Sequence, residues 1–466
     1  MYKKNDILEL NIVDTGVDGE GIAKIDGYVF FVKDAVCGDE IKAKVMKAGK
    51  SFGYAKLLEI IKPAKDRVEP FCPVANKCGG CSLLNLSYEA QLRFKEKKVK
   101  NNIERIGKVA DFAFKPIVGM DDGKNLRYRN KTQFPVGQDK NGRVITGFFA
   151  SRTHSVIEID DCMASPLVNE CILRVIRDFM EENSIKPYDE KTHSGSVRHV
   201  LIRNGFASGE INVCLVLKGD KFPQSDELVK RLKNAISSSA DSIKWELTGL
   251  VLNINKEKTN VIMGKRCKTL WGKSYITDKI GDLSFNISPL SFYQVNPAQT
   301  IKMYEKALEY ANLKGDEKVW DLYCGIGTIS LFLAKKAGKV FGVEIVPEAI
   351  EDAKENAKQN GIDNVEFIAG AAEEVIPEYY KKTGEKPDVI VVDPPRKGCD
   401  SKLLDTIIKS GCKRLVYVSC DSATLARDIN YLLKNDFKLE ELTPFDNFPG
   451  SAHVECVCYM INTREK

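Results

Sequence analysis

Residues 415–428, with the sequence LVYVSCDSATLARD, decide how the carboxyl-terminal part of the chain folds. An apolar run ends at Ser419 and Cys420, and a segment of helical character begins almost at once. Short apolar runs that lead directly into helices are typical of buried parallel strands. We therefore predict that Cys420 lies at the carboxyl end of a strand, where open α/β sheets bind their ligands. A thiolate there can act as a nucleophile, whereas the alternative is a small buried thiol.

The region around this stretch alternates between strand-like and helix-like segments. Apolar strand cores are predicted at 318–322, 340–343, 365–369, 389–392 and 415–418. Helical patterns follow at 326–337, 347–360, 400–410 and 422–435, and two further strands at 437–443 and 454–461 have no helix between them. This order predicts a mostly parallel, doubly wound sheet with an antiparallel edge over residues 286–466.

The composition is that of an ordinary soluble protein of several domains. The 466 residues are 43% hydrophobic and 29% charged, and the net charge of +5 permits a nucleic-acid partner without requiring one. The sequence contains neither an uninterrupted apolar run of about 18 residues nor an apolar leader, so we expect a cytoplasmic protein without a membrane partner. Fourteen cysteines in such a chain favour metal binding or catalysis over a disulfide framework.

Residues 1–60 are predicted to form a small β-barrel of the OB type. Short strand-like runs alternate with turn signals, of which Asp26-Gly27 between two apolar runs is a good hairpin signal. Such barrels are a common RNA-binding scaffold. The segment GVDGEGIAKIDGYVFFVKDAVCGDEIKAKV resembles the TRAM domain, and this resemblance implies contact with RNA.

Residues 61–285 are predicted to form a central α+β domain that carries a four-cysteine metal cluster. Cys72, Cys78 and Cys81 have the spacing C-x5-C-x2-C beside paired glycines, and Cys162 is the best candidate for the fourth ligand. All-cysteine ligation suits an iron–sulfur cluster or a structural zinc ion, and the spacing leaves both open.

Basic residues recur in three parts of this central region. A helix is predicted at 88–106, and its basic face either is solvated or contacts phosphates. The basic residues of this face are Arg93, Lys95, Lys97, Lys98 and Lys100. Two strings at 126–137 and 196–205 supply further residues that could line an RNA groove or stack on bases: Arg127, Tyr128, Arg129, Lys131, Phe134, Arg198 and Arg203.

The first strand of the carboxyl-terminal region leads into DLYCGIG, a turn in which Gly325 and Gly327 let a ligand approach the backbone. Glu344 follows about twenty residues later and can accept hydrogen bonds from ribose hydroxyls. Ser330 replaces the third glycine of a dinucleotide-binding motif. The D-x-x-x-G-x-G form resembles the S-adenosylmethionine site of class I methyltransferases.

Two more side chains are predicted at the same site. Asp393 in DPPR ends a strand and is held at the rim by the two prolines that follow it. Gln294 in SFYQVN precedes the sheet and can contact the cofactor through its amide group.

The motifs SFYQVN, DLYCGIGT, DPPRKG, YVSCDSATLARD and AHVE occur in the order seen in the RNA uracil-5-methyltransferase family. The chain resembles this family over nearly its whole length, and its TRAM-like domain and CPVANKCGGC segment are most similar to the members that act on 23S ribosomal RNA. The resemblance implies a Rossmann-like class I methyltransferase domain at 286–466, with S-adenosylmethionine and a [4Fe-4S] cluster as cofactors. It implies 23S rRNA as the partner, without an obligate protein partner. It assigns the cofactor contacts to Gln294, Tyr323, Glu344 and Asp393, and the cluster to Cys72, Cys78, Cys81 and Cys162.

The reaction of this family explains why a cysteine and a carboxylate occur together. C5 of uracil is a poor nucleophile until a thiolate adds to C6, and a base must later remove the C5 proton so that the thiol can leave. The resemblance implies that Cys420 is the nucleophile and that Glu455 of AHVE is the base. Two alternatives stay open: the same chemistry on tRNA, and an RNA-binding or redox-sensing protein without turnover.

The sequence departs from the family pattern in three places. The usual Asn-Pro after the nucleophile is Asp421-Ser422 here, and the common F-P-H-T segment reads FPGS at 448–451. Thr328 stands where some members have Asn. We expect these departures to change details of substrate fit and to leave the chemical groups intact.

Overall fold

In the computed structural model, which describes residues 2–151 and 153–464, the chain begins with a closed barrel of strand order β1-β2-β3-β5-β4. Its strands are β1 (Ile7–Thr15), β2 (Gly21–Ile25), β3 (Tyr28–Lys33), β4 (Glu40–Ala48) and β5 (Phe52–Lys62). Alternate apolar side chains such as Phe30 fill the interior. Asp26 and Gly27 join β2 to β3 with φ of 48° and 81°, so the predicted hairpin is confirmed.

A helix and a very short strand connect the barrel to the rest of the molecule. They are α1 (Tyr88–Arg105) and β6 (Ala113–Phe114). The side chain of Ser87 caps α1 by accepting a hydrogen bond from the backbone N–H of Ala90 at 3.3 Å. Val99 and Ile103 of α1 are fully buried in the hydrophobic core of the carboxyl-terminal region. This helix therefore packs on the part of the chain that carries the strand-end residues predicted above.

A seven-stranded sheet forms the central region, with strand order β13-β12-β11-β10-β7-β8-β9. Its elements are β7 (Lys131–Gln138), β8 (Val144–Phe149), β9 (Val156–Glu158), α2 (Val168–Glu182), β10 (Val197–Asn204), β11 (Glu210–Leu217), α3 (Ser225–Ser237), β12 (Glu246–Ile254) and β13 (Arg266–Gly272). Neighbouring strands are antiparallel except for β11 and β12, which α3 connects. The apolar faces of α2 and α3 cover one side of the sheet.

The carboxyl-terminal region contains a hairpin, a helix and an eight-stranded sheet of order β18-β17-β16-β19-β20-β22-β21-β6. Its elements are β14 (Ile276–Ile280), β15 (Leu283–Ile287), α4 (Pro297–Ala311), β16 (Lys318–Leu322), α5 (Thr328–Ala334), β17 (Lys339–Glu344), α6 (Pro347–Gln359), β18 (Val365–Ala369), α7 (Ala372–Thr383), β19 (Val389–Val392), α8 (Ser401–Ser410), β20 (Arg414–Ser419), α9 (Ser422–Leu433), β21 (Phe437–Phe445) and β22 (Glu455–Asn462). The first five strands in this order are parallel, whereas β22 is antiparallel to both its neighbours.

This sheet confirms the predicted doubly wound architecture. Three elements that belong to it or pack on it are not predicted by the sequence patterns: helix α4, helix α7 and strand β6, which comes from the preceding region. Strand order reverses between β16 and β19, so the carboxyl ends of these strands open a crevice at one edge of the sheet. None of the helices in the described part of the chain is long and apolar enough to cross a membrane.

Candidate active site

The carboxyl ends of the parallel strands open into a cavity of about 740 Å³, which we name the strand-end cavity. Its lining includes every residue to which the resemblance assigned a cofactor contact or a catalytic role: Gln294, Tyr323, Glu344, Asp393, Cys420 and Glu455. These side chains come from the ends of four parallel strands, from the start of β22 and from the segment before α4. Residues that are far apart in the sequence therefore meet at the predicted edge of the sheet.

The loop between β16 and α5 allows a ligand to lie against its backbone. Gly325 and Gly327 have φ of 55° and 83°, a conformation that side chains disfavour. A Cβ atom at Gly327 would lie 2.8 Å from the ring of Phe367, so a larger residue does not fit there. Glu344 fixes the loop, because its carboxylate accepts hydrogen bonds from the N–H groups of Gly325 at 3.3 Å and Val346 at 3.0 Å. Each carboxylate oxygen keeps a lone pair for a ribose hydroxyl.

Two amide side chains orient Asp393. The Asn447 amide donates a hydrogen bond to Oε1 of Gln294 at 3.1 Å. The Gln294 side chain in turn forms a hydrogen bond with the Asp393 carboxylate. Burial raises the pKa of Asp393 to about 7, and the hydrogen bond from Gln294 acts in the opposite direction.

The pairing of β20 with β22 fixes the positions of Cys420 and Glu455 relative to one another. These strands are antiparallel, with Ser419 opposite Cys456. The same register places the next residue of each strand, Cys420 and Glu455, opposite one another. The thiol and the carboxyl group thus meet in the strand-end cavity.

Both groups favour their neutral forms. Burial, followed by the negative charges of Glu455 and Asp393, raises the pKa of Cys420 to about 12, while the positive charge of Arg396 opposes this shift. Burial and then the charge of Asp393 raise the pKa of Glu455 well above its usual range. Oε2 of Glu455 has no hydrogen-bond partner among the described residues. A carboxyl group with a raised pKa is a stronger base once it is ionised.

The residue after Cys420 starts a helix. The carboxylate of Asp421 caps α9 by accepting hydrogen bonds from the N–H groups of Ala423 at 2.9 Å and Thr424 at 3.0 Å. A helix amino terminus next to a cysteine stabilises the thiolate form. The departure Asp421-Ser422 therefore supplies a good helix cap in this chain.

A second cavity of about 480 Å³, which we name the cysteine cavity, is lined by all four predicted ligands: Cys72, Cys78, Cys81 and Cys162. Burial, followed by repulsion from the other three thiolates, raises the pKa of Cys81 to about 12. The N–H group of Gly80 donates to the sulfur of Cys78 at 3.3 Å. Nevertheless, within residues 2–151 and 153–464 no three His, Cys, Asp or Glu side chains form a group that could hold a metal ion. The four thiols share a cavity without being gathered around one point.

Similarity to known proteins identifies the family of this chain. The sequence model of the tRNA (uracil-5-)-methyltransferases matches residues 229–463. An uncharacterized RNA methyltransferase of Halalkalibacterium halodurans is 48% identical, over 98% of this chain and 97% of its own length. A second, of Clostridium tetani, is 45% identical over the same shares of both chains, 98% and 97%. This chain belongs to the RNA uracil-5-methyltransferase family.

The methyltransferase is also similar to a solved structure over almost its full length. The crystal structure of the Pyrococcus abyssi tRNA (uracil-54, C5)-methyltransferase in complex with S-adenosyl-L-homocysteine superposes with a TM-score of 0.77. The two sequences are 26% identical, and the match covers 97% of this chain and 99% of that one. The eight-stranded sheet is thus the Rossmann-like fold of an S-adenosylmethionine-dependent methyltransferase, and its methyl donor is S-adenosylmethionine.

The loop at 446–454, which leads into Glu455, is held by one face of α1. Residues at three- and four-residue spacing share this helix face: Tyr88, Gln91, Lys95 and Lys98. Lys95 forms a fully buried ion pair with Asp446 and donates a second hydrogen bond to the carbonyl of Phe448 at 2.9 Å. The hydroxyl of Tyr88 donates to the other carboxylate oxygen of Asp446 at 2.8 Å. The role of this set in holding the loop is not apparent from the sequence, where the only signal is the helical spacing of its members.

Residues 72–84, which carry three of the four cysteines and which we name the cysteine segment, also contact the 446–454 loop. The carbonyl of Gly450 accepts hydrogen bonds from the N–H groups of Ser82 at 3.0 Å and Leu83 at 2.9 Å. Its own N–H group donates to Oε1 of Gln91 at 2.9 Å. Because Ser82 directly follows Cys81, the position of the loop depends on the fold of the cysteine segment.

The basic face of α1 is largely used within the protein. For Lys95 the phosphate interpretation is wrong, because its side chain is fully buried against Asp446. Arg93 pairs with a carboxylate of residue 66 at 2.7 Å, and Lys97 pairs with one of residue 14 at 2.9 Å. The basic residues of α1 therefore form contacts within the protein, and Lys95 holds the 446–454 loop; we call this contact the clamp.

Most of the residues predicted to line an RNA groove are also committed to the fold. Tyr128, Phe134, Arg198 and Arg203 are buried, which excludes stacking on bases or phosphate contact from a surface groove. Arg127 forms an ion pair with Asp161. Three residues of the original set line the cysteine cavity: Tyr128, Arg129 and Lys131.

Proposed function

We propose that this methyltransferase converts a uridine of 23S rRNA to 5-methyluridine, with Cys420 as the nucleophile and Glu455 as the base. The observation that carries the proposal is the opposed register of these residues in the strand-end cavity. A thiol and a carboxyl group on facing strands can reach the two ring carbons, C6 and C5, that the reaction changes. A dinucleotide enzyme or a passive RNA-binding module has no use for this pair.

The reaction follows from the residues in order. The thiolate of Cys420 adds to C6 of uracil, and the electron pair of the C5–C6 double bond moves towards C5 and O4. Bound S-adenosylmethionine supplies an electrophilic methyl group. Once C5 carries that methyl group, ionised Glu455 takes the C5 proton, the C5–C6 double bond forms again, and Cys420 leaves as a thiolate. The charge of Arg396 favours the thiolate at the start and at the end.

The remaining residues of the strand-end cavity are proposed to hold the cofactor. Glu344 offers free lone pairs for ribose hydroxyls beside the open backbone of Gly325. Gln294 and Asp393 form a hydrogen-bonded pair that lines the same cavity, and Tyr323 follows the end of β16. Cys420 and Glu455, which also line it, are then left to the base of the RNA.

Two substitutions test the chemistry. Cys420→Ala is expected to abolish methyl transfer while S-adenosylmethionine binding, measured by calorimetry, is retained. Glu455→Gln is expected to trap an RNA–protein adduct that survives denaturing electrophoresis, because the C5 proton cannot leave. Cys37→Ala, an exposed cysteine of the barrel, is the matched control and should turn over normally. Full turnover by Cys420→Ala would contradict the mechanism.

The substrate is the second part of the proposal. The support for 23S rRNA is the resemblance of the TRAM-like barrel and the CPVANKCGGC segment to the ribosomal members of the family. The likeness to the Pyrococcus abyssi tRNA enzyme over 97% of this chain favours tRNA as a second candidate. Mapping 5-methyluridine in both RNAs from cells with and without the gene decides between them: loss from 23S rRNA alone supports the first candidate, and loss from tRNA alone supports the second.

We further propose that Cys72, Cys78, Cys81 and Cys162 hold a [4Fe-4S] cluster. Support comes from the donor set, which is entirely thiol, and from the single cavity that it lines. An all-cysteine donor set also suits a structural zinc ion, so the metal content of the purified protein has to separate the two. Equal amounts of iron and inorganic sulfide in the purified protein, lost in Cys81→Ser, would support the cluster, whereas zinc without sulfide would overturn it.

The three proposed domains divide this work. Residues 1–60 and 61–285 are proposed to position the RNA, and residues 286–466 to carry out the transfer. The division is not strict, because α1 and β6 of the second domain pack into the third.

A further inference from the structure

Three hydrogen-bonded side chains run from the 446–454 loop into the strand-end cavity. The amide group of Asn447 donates to Oε1 of Gln294 at 3.1 Å, and the Gln294 side chain forms a hydrogen bond with the Asp393 carboxylate. Gln294 and Asp393 line the cavity, whereas Asn447 is fully buried. The proposed function gives cofactor contacts to Gln294 and Asp393 and leaves Asn447 without a role.

The hydrogen bonds between these side chains have a direction. A carboxamide carries an acceptor oxygen on one side and a donor NH2 group on the other. Because Oε1 of Gln294 accepts the hydrogen bond from Asn447, its NH2 group is the side that faces Asp393. An ionised carboxylate can only accept, so the reversed amide would place two acceptors against each other. The orientation of the Gln294 amide therefore determines whether ionised Asp393 has a hydrogen-bond donor.

Contacts on either side hold Asn447 in place. Lys95 binds the carboxylate of Asp446 and the carbonyl of Phe448, which are the residues before and after it. The carbonyl of Asn447 accepts a hydrogen bond from the Asn296 amide at 3.3 Å. Its Oδ1 atom has no hydrogen-bond partner among the described residues. A reversed amide would bury N–H groups at that position, and proteins tolerate an unpaired buried N–H less well than an unpaired oxygen.

The groups around Asp393 make its charge dependent on the Gln294 donor. Acidic groups interact with it from four elements: Tyr304 of α4, Asp321 of β16, Cys420 after β20 and Glu455 of β22. When they ionise, they disfavour a charge on Asp393. The cation Arg396 acts on Cys420 and Glu455. Burial raises the pKa of Asp393, and the hydrogen bond from Gln294 opposes this shift, so loss of that donor raises the pKa further.

We propose that Asn447 is a positioning residue for the methyl donor, because it holds the Gln294 carboxamide with its NH2 group towards Asp393. This inference rests on the proposed function, since it takes Gln294 and Asp393 to contact the cofactor. The methionine part of the cofactor carries an ammonium group, which an ionised carboxylate binds more strongly than a neutral carboxyl group does. Asn447 thereby extends the methyl-donor site into the loop that leads to Glu455.

The experiment measures cofactor affinity as a function of pH, because a general structural defect weakens binding equally at every pH. The probe is S-adenosyl-L-homocysteine, and its binding is followed by calorimetry across the midpoint at which Asp393 ionises. Asn447→Leu removes the donor and keeps the branched shape of the side chain. The midpoint should rise by about one pH unit, since a hydrogen bond to a charged group is lost. Affinity should therefore fall about tenfold at about one unit below the wild-type midpoint and be about unchanged at about two units above it.

Asn130→Leu is the matched control. The Asn130 amide donates to the backbone carbonyl of Gln294 at 2.9 Å, so this variant loses a buried hydrogen bond to the same residue and leaves the carboxamide orientation as it is. Its pH midpoint should equal that of the wild type. If Asn447→Leu does not fold, Asn447→Ser provides the same test, because the serine hydroxyl is too short to reach Gln294. Equal affinity loss at every pH in the Asn447 variant, or no loss, would overturn the proposal.

Two further variants separate the possible failures. Asp393→Asn should remove the pH step; if it changes neither the affinity nor its pH dependence, the proposed cofactor contact of Asp393 fails. If Asp393→Asn removes the step and Asn447→Leu leaves the midpoint in place, the positioning role of Asn447 alone is refuted. In a Gln294→Leu background, Asn447→Leu should shift the midpoint no further. An additional shift there would also overturn the proposal, because Asn447 would then act on Asp393 by another route.

Discussion

The ion pair between Lys95 and Asp446 gives the sharpest test of how the base is positioned. Both side chains are fully buried, and they join α1 to the 446–454 loop across more than three hundred residues of sequence. Lys95→Met removes the ammonium group and keeps an apolar chain of similar length. Asp446 is then left buried with one hydrogen bond, from the hydroxyl of Tyr88. Breaking a buried pair in this way costs about 3–5 kcal/mol.

We expect the loss of stability in Lys95→Met to affect the 446–454 loop before it affects the whole molecule. Because the chain folds around several hydrophobic cores, one unfolding midpoint does not define its stability, so we choose hydrogen exchange of the amides at 446–455 as the assay. Lys95→Met is expected to lower the opening free energy of this segment by about 3–5 kcal/mol, up to the limit set by its stability in the wild type. The double variant Lys95→Met/Asp446→Asn should recover most of the loss, since no unpaired charge remains.

A matched control lies on the same helix. Lys97 pairs with Asp14 on the surface, where the two side chains are 63% and 48% exposed. Lys97→Met should therefore change the opening free energy by less than about 1 kcal/mol. Equal protection of the segment at 446–455 in the Lys95 and Lys97 variants would refute the clamp. So would a double variant that is no better than Lys95→Met alone.

Three further outcomes follow from the strand-end cavity. Glu455→Gln removes a negative charge beside Cys420, so the apparent pKa for alkylation of that thiol by iodoacetamide should fall; a rise would contradict the assigned contact. The raised pKa of Glu455 means that the base ionises only as pH increases, so an adduct that has already formed should decay more slowly after a jump to low pH than after a jump to high pH. Gly327→Ala should weaken S-adenosylmethionine binding because its Cβ would lie 2.8 Å from the ring of Phe367, whereas Gly361→Ala, also at positive φ but with open space around it, should bind normally.

Elements that are specified by residues close together in the sequence could be predicted from it. Asp26-Gly27 specifies a tight hairpin through its own backbone preferences, and the structure contains that hairpin. The short apolar runs of the carboxyl-terminal region specify buried parallel strands, which bring Asp393, Cys420 and Glu455 to one edge. Because the local sequence preferences agree with the overall fold, the order of the motifs was sufficient to predict that these residues lie near one another.

Features that depend on distant partners could not be predicted. Strand β6 has two residues and pairs with β21 from the other end of the chain, so it leaves no periodic signal. Helix α7 contains Pro377, which interrupts the usual helical pattern. The direction of a lysine side chain is equally hidden: Lys95 and Lys97 are two residues apart in one basic run, yet one is buried in a clamp and the other is on the surface.

Gly450 shows why a departure from a family motif has to be judged in its own fold. It stands where the common F-P-H-T pattern has His, and its φ is 79°, a conformation that is unfavourable for a side chain. A Cβ atom here would lie 2.9 Å from Leu84 and 3.7 Å from the sulfur of Cys81. The glycine therefore allows the cysteine segment to close onto the loop that leads to Glu455. In this chain the residue at 450 is matched to the segment at 81–84, so the departure is explained by packing between the loop and the cysteine segment rather than by a missing chemical group.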